Sequence, residues 1–308
     1  MSKIATREAY GNTLAQLVKE DDHIIVLDAD LSKSTKTCEA KKANPAKHIN
    51  IGIAEGNMMS IAAGLSTCGN TVFASTFAIF AAGRAFEQIR NSICYPRLNV
   101  KICATHAGIT VGEDGASHQA IEDLAIMRSL PNMTVISPCD SVETEAVIKA
   151  VAKYDGPCYV RLGRLAVETI NSKNYSFELG KGVILEEGDD VAIIATGFMV
   201  QQALKASHVL RKQEINAYVV NIHTIKPIDK ELIINLAKKS KLIVTCEEHN
   251  VIGGLGSAVS EVLSQYEPVK LAMVGINDTF GESGKPDALI KKYGLSVEHI
   301  VNTVKYNL

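Results

Sequence analysis

The chain has 308 residues, 46% of them hydrophobic and 21% charged, with a formal net charge of −2. This is the composition of a globular protein with room for two cores. It argues against nucleic acid as a partner, since no dense basic stripe is present to neutralise phosphates, and no apolar run reaches membrane-spanning length. The first residues lack a signal-peptide core, and the seven cysteines are scattered singly without a C-x-x-C pair. A disulfide framework and a zinc site are therefore not expected, and a reducing cytoplasm is the expected compartment.

In chain order, short apolar runs at 23–28, 71–76, 100–105, 134–137 and 158–161 read as buried strands. Between them, 57–67 and 141–154 read as helices. In the second, Val142, Ala146, Val147, Ala150 and Val151 form an apolar stripe at helical spacing. This alternation predicts a mainly parallel sheet covered by helices on both faces. Residues 168–190 break the rhythm; they are polar, carry Gly180, Gly182 and Gly188, and have room for a short hairpin. A second alternating unit follows, with strands at 191–195, 217–221, 242–245 and 271–274 and helices at 198–212, 230–239 and 257–265. The expectation is two α/β domains, 1–170 and 189–308, joined by a linker at 171–188.

The most informative segment is the loop His106-Ala-Gly-Ile-Thr-Val-Gly-Glu-Asp-Gly-Ala-Ser-His118. His106 falls at the carboxyl end of a predicted strand, where open α/β sheets place their ligands. Gly108, Gly112 and Gly115 let the backbone turn closely around a bound molecule, and Glu113, Asp114 and His118 lie on the same loop. A polar surface loop is the plain alternative. Two histidines bracketing two acids after a strand favour a site. Glu55, in Gly52-Ile-Ala-Glu-Gly-Asn-Met58, falls in a first helical turn, where the helix dipole alone favours an acid. Phe77 and Phe80 follow a strand and read equally well as core residues. Arg7, Ser34 and Arg164 fall near predicted element ends; singly, each basic residue reads as a solvated charge. Gly253-Gly-Leu-Gly-Ser257 lacks a dinucleotide fingerprint, because Val259 stands at the third glycine position. It reads as a tight turn into a helix, and Glu247-Glu-His249 before it receives no catalytic role.

The segment His106…Val111-Gly-Glu-Asp-Gly115…His118-Gln119 resembles the substrate loop of transketolases. Thr6-Arg7, Asp30-Leu-Ser-Lys-Ser34, Gly52 to Met58, Ser75-Thr-Phe77 and Arg161-Leu-Gly-Arg164 follow in the family's order. The resemblance spans the chain but only the family's second half. It implies a thiamine-diphosphate-binding fold of the pyrimidine type, followed by a Rossmann-like C-terminal domain. Glu55 would share a proton with N1′ of the aminopyrimidine, the contact that activates the thiazolium C2. Phe77 or Phe80 would pack on the pyrimidine ring, and Asp30, rather than Asp28, would lie near the cofactor. Arg7, Ser34, His106 and Arg164 would grip the sugar phosphate. Asp114 would bind a substrate hydroxyl, and His118 would relay protons near the reacting carbons. The catalytic set is then Glu55, His106 and His118. The run Arg84-Ala-Phe-Glu-Gln-Ile-Arg90 resembles the family's next helix, one residue further from Phe77 than usual.

The family's metal and diphosphate segment, Gly-Asp-Gly with a downstream Asn, has no counterpart; Gly188-Asp-Asp190 comes nearest and lies in the predicted linker. The resemblance therefore implies the C-terminal subunit of a split transketolase. It would transfer a two-carbon ketol unit from a ketose phosphate to an aldose phosphate. A separate N-terminal subunit would hold the diphosphate and Mg²⁺, most simply in a two-plus-two heterotetramer. One alternative is a subunit of another thiamine diphosphate enzyme. The β chain of a 2-oxoacid dehydrogenase has less use for sugar-phosphate contacts, and a 1-deoxyxylulose-5-phosphate synthase typically has Ala at the place of Glu113. The other alternative, a non-catalytic regulatory homologue, would be favoured by loss of Glu55 or of a histidine, and these are present.

Overall fold

The computed structural model describes residues 3–308. Its strands are β1 (Lys3–Ala5), β2 (Ile24–Asp28), β3 (His48–Asn50), β4 (Thr71–Phe77), β5 (Val100–Thr105), β6 (Thr134–Ile136) and β7 (Cys158–Arg161). They continue with β8 (Ala166–Glu168), β9 (Val183–Glu186), β10 (Val191–Ala195), β11 (Ala217–Asn221), β12 (Thr224–Lys226), β13 (Leu242–Asn250) and β14 (Lys270–Ile276). Seven of them form one sheet in the order β12-β6-β7-β5-β4-β2-β3, parallel except for β12. Every residue of β4 and β5 is buried, as a parallel strand covered by helices on both faces requires. Lys101 of β5 is buried too. Its ammonium donates to the carbonyls of Tyr154 and Gly156, at 2.7 and 2.6 Å, closing the C-terminal end of the helix Ser141–Lys153.

A second sheet has five strands in the order β14-β13-β10-β11-β9. The expected two-domain α/β fold is therefore present, with three differences from the sequence reading. Residues 171–188 are not all linker: β9 lies inside them and pairs antiparallel with β11 instead of forming a hairpin of its own. Strand β13 runs on to Asn250, past the predicted end at 245, through Glu247, Glu248 and His249. Strand β12 follows β11 in the chain but pairs with β6, so a segment of the second unit edges the first unit's sheet. Lys226 anchors this seam, its ammonium donating to the carbonyls of Arg128 and Leu130.

The register of the first sheet sets the site. Phe77 at the end of β4 lies opposite Thr105 at the end of β5. His106 and Phe77 therefore leave the sheet side by side. Downstream of Phe77 the chain runs through short helices, Ala78–Arg84 and Phe86–Gln88, into a π-helical turn at Ile89–Cys94. There Tyr95 N–H reaches back five residues to the Arg90 carbonyl at 3.0 Å. A wide turn of this kind takes up one additional residue without breaking the helix.

Candidate active site

Glu55 opens the helix Glu55–Thr67 and is 4% exposed. Its carboxylate accepts from Thr76 Oγ1 at 3.4 Å and from Arg84 Nη1 at 3.2 and 3.4 Å. The Arg84 guanidinium carbon lies 3.9 Å from the centre of the Phe80 ring. A flat, hydrogen-bond-donating group is thus held between an aromatic face and a buried acid. Phe77 is differently engaged: His106 stacks on it at 3.8 Å between ring centres, and Phe80 lies 5.7 Å away at 20°. His118 meets both phenyl rings edge-on, at 6.1 and 5.4 Å.

His106 adopts a left-handed backbone conformation, φ 58°, and is almost fully buried. Arg7 Nη1 donates to its Nε2 at 3.3 Å, so Nε2 accepts, and Nδ1 carries the proton and donates to Thr105 Oγ1 at 2.8 Å. Burial first, then Arg7, Arg164 and His118, push this imidazole down to about 3, so it is neutral at physiological pH. Arg7 also donates to the Ser34 carbonyl at 2.8 Å, while its own Nε is buried without a partner. That leaves a donor for an anionic oxygen. Arg164 donates to the Val111 carbonyl and lies 3.7 Å from both Glu113 and Asp114. These partly exposed pairs are weak, so the guanidinium can exchange them for another anion at small cost.

The structure thus brings Glu55, Phe77, Phe80, His106 and His118 into one contact chain, joined to Arg7 through His106. Ser34 touches Arg7 through its backbone, not its hydroxyl. Arg164 and Asp114 contact each other rather than His106. Asp30 is exposed and tied to Asn50: Asn50 Oδ1 accepts from the Asp30 N–H at 3.0 Å, and Asn50 Nδ2 donates to Asp30 Oδ1 at 3.1 Å. Asp28 is fully buried and accepts from Leu31 N–H, Thr35 and Thr37, a structural post under the following turn. Arg84 enters the site without having been expected there. Its place about two helical turns after Phe77 was the available signal.

The family model for the transketolase pyrimidine-binding domain matches residues 2–169, and that for the transketolase C-terminal domain matches residues 180–300. The chain belongs to the transketolase family. It is 54% identical over 302 residues to a Methanocaldococcus jannaschii protein named as a transketolase C-terminal section, covering 97% of this chain and 94% of that one. It is 42% identical to rat transketolase over 98% of this chain but 49% of the rat protein, about half its length. A solved split-gene transketolase, described as an inactive β4 tetramer, superposes with a TM-score of 0.93 at 56% identity, covering 99% and 98% of the two chains.

Behind this candidate site lies a buried polar cluster on β13. Glu247 accepts from the N–H groups of Leu255 and Gly256, at 2.7 and 2.8 Å, capping the helix Leu255–Tyr266. A Cβ at Gly254 would lie 1.9 Å from its carboxylate, which explains the glycine-rich turn. Burial raises Glu247 to about 7 and lowers His249 to about 4, so their 3.7 Å contact is not an ion pair at neutral pH. His249 Nδ1 donates to the Asn250 carbonyl at 2.6 Å, fixing the neutral tautomer.

These groups predict an acid-sensitive fold. His106 and His249 take up protons near 6.5 in the unfolded chain, but only near about 3 and about 4 in the fold. Their contribution is complete above 6.5 and is lost as the pH falls towards those lower values. Glu247 opposes them: its contribution is complete below its ordinary 4.5 and lost as pH rises through about 7. Burial also pushes His48 and His223 down and Asp28 and Glu248 up, so the imidazoles remain the more numerous between 6.5 and 4.5, and below that the carboxyls compensate less. The melting temperature should therefore fall from pH 6.5 to pH 5 and fall more steeply below 4.5. A melting temperature that is flat or rises over pH 6.5 to 5 would contradict this assignment.

Proposed function

We propose that the chain is the C-terminal subunit of a two-chain transketolase, transferring a two-carbon ketol unit from a ketose phosphate to an aldose phosphate. The observation that carries the reading is the Arg84 guanidinium held between Glu55 and the Phe80 ring. A planar donor group already fits there, so the slot suits the aminopyrimidine of thiamine diphosphate. The bound cofactor supplies the carbon nucleophile. Glu55 holds the proton at N1′, Phe80 offers the ring face, and Phe77 and neutral His106 form the wall behind it. His118, at the edge of both rings, is placed to hand protons to and from the substrate's oxygen. Arg7 and Arg164, with Ser34 and His106 beside them, receive the sugar phosphate; Asp114 takes a substrate hydroxyl; Asp30 lies at the cofactor's rim. We put the domain boundary within 171–188.

Among the described residues no group of three or more His, Cys, Asp or Glu could hold a metal ion. We assign the Mg²⁺ and diphosphate contacts to a separate N-terminal subunit. Support comes from relatives of this length that are named as parts: the Methanocaldococcus section, and a Clostridium 6-deoxy-6-sulfo-D-fructose transketolase subunit, 42% identical over 96% of this chain and 92% of that protein. A two-plus-two assembly is the simplest arrangement. No helix is long and apolar enough to cross a membrane among the described residues. The test is a ketol-transfer assay with thiamine diphosphate and Mg²⁺, on the chain alone and then with the partner titrated in. Turnover should be absent at first and saturate as the chains become equimolar. Full turnover by the isolated chain, unchanged by the partner, would overturn the two-chain reading. Consumption of pyruvate without ketol transfer would instead favour the dehydrogenase or synthase alternative.

A further inference from the structure

The loop 106–118 belongs to the first domain by sequence, yet much of what shapes it comes from the second. Thr110 N–H donates to Glu248 Oε1 at 2.7 Å. Gly108, at φ 82°, lies so close to the same carboxylate that a Cβ there would be 2.2 Å from Oε1. Asn250 N–H donates to the Ile121 carbonyl at 2.7 Å, tying the loop's exit to the end of β13. Gln119 Nε2 bridges the Ile109 carbonyl at 3.2 Å and the Glu282 carbonyl at 3.0 Å, and a Cβ at Gly115 would meet Ser283 Oγ at 2.5 Å. Arg161 ties the two sides together, donating to the carbonyls of Ala120 and Glu248, both at 3.0 Å.

We propose that Glu248 is a positioning residue for the reaction, and that the second domain serves as the template on which the substrate loop is shaped. The substrate role rests on the reading given above under the proposed function; the clamp itself does not. One end of the loop is fixed by His106 against Phe77, and the other by Gln119 against the second domain. Between them Arg164 bonds the Val111 carbonyl, one residue beyond the clamped Thr110 N–H. A cavity lined by Thr6, Ala107, Thr110, Arg161 and Glu248 lies alongside. Without the Glu248 carboxylate, residues 108–114 have room to shift. Asp114 and Arg164 then lose their placement relative to His106, while Glu55, Phe80 and the cofactor slot are untouched.

The test uses the reconstituted two-chain enzyme carrying Glu248→Ala, Glu248→Gln or Gly108→Ala. In Glu248→Ala, amide exchange of residues 108–114 should quicken about ten- to a hundredfold, the range of one lost hydrogen bond to a charged group. KM for a phosphorylated ketose should rise by a similar factor, while kcat with hydroxypyruvate and affinity for thiamine diphosphate stay within about twofold. Glu248→Gln keeps an acceptor oxygen for Thr110 N–H and should restore most of both. Gly108→Ala pushes the clamp open from the other side and should reproduce the Glu248→Ala pattern, so the proposal is tested even if the alanine variant folds poorly. Unchanged exchange and KM in both Glu248→Ala and Gly108→Ala would overturn it, as would faster exchange spread over both domains. If the wild-type enzyme transfers no ketol unit, the proposed function fails while the exchange measurement still decides whether Glu248 holds the loop.

Discussion

Glu55→Gln is expected to leave the fold intact and to lower turnover roughly 10²–10⁴-fold, the usual worth of a positioned acid or base. Glutamine keeps the volume of the buried side chain and can still accept from Thr76 Oγ1 and Arg84. What it cannot do is hold and release a proton at N1′. The consequence is therefore chemical, not structural, and the melting temperature should hardly move. Exchange of the C2 proton of thiamine diphosphate, followed on the reconstituted enzyme, isolates the step. Exchange as fast as in the wild type would remove Glu55 from the activating role.

Asp123→Ala is expected to lower stability by about 3–5 kcal/mol, because it leaves Arg161 buried without its counter-charge. The pair is closed to solvent: the side chains are 6% and 0% exposed, with Nε 2.9 Å from Oδ2. Burial alone would raise Asp123, but Arg161 and the other groups around it, with the hydrogen bonds from Arg161 and Tyr159, together outweigh it and hold the carboxyl below its ordinary range. Tyr159 adds a third member, its hydroxyl donating to Asp123 Oδ2 at 2.7 Å, and it too would be stranded. The urea midpoint is the measurement. Replacing both ions, as Asp123→Leu with Arg161→Met, should recover much of the loss. A single-variant loss below about 1 kcal/mol would show that the ion pair is not essential to the core.

The elements that sequence reading found are those whose burial is uniform. Strands β4, β5 and β10 are buried along their whole length, and their apolar runs show it. Strand β13 was cut short because Glu247, Glu248 and His249 are polar, and only their distant partners make them interior residues. The glycine-rich turn at 253–257 announces the helix that Glu247 caps, but nothing near Glu248 in the chain signals the amide of Thr110 as its donor. The same limit governed the site. His106, Glu55 and the phenylalanines stood at element ends and were legible as a set. The engagement of Arg84 with Glu55 joins the end of one helix to the start of another, 29 residues apart with β4 between them, and no local pattern announces it. For β12, three residues carry too little pattern to reveal a strand, let alone that it crosses to the other sheet.

That crossing strand changes what a domain means in this chain. Covalently, the obvious place to divide it is the polar stretch around 171–188. In the hydrogen-bond network the seam lies elsewhere, between β6 and a strand that arrives more than eighty residues later, Thr224 facing Ile136. Severing the peptide would leave β6 with a row of unpaired amide and carbonyl groups, the kind of open margin that recruits foreign strands. The first domain is thus finished only once the second has been made, so a ribosome must deliver nearly three-quarters of the chain before the larger sheet acquires its final edge.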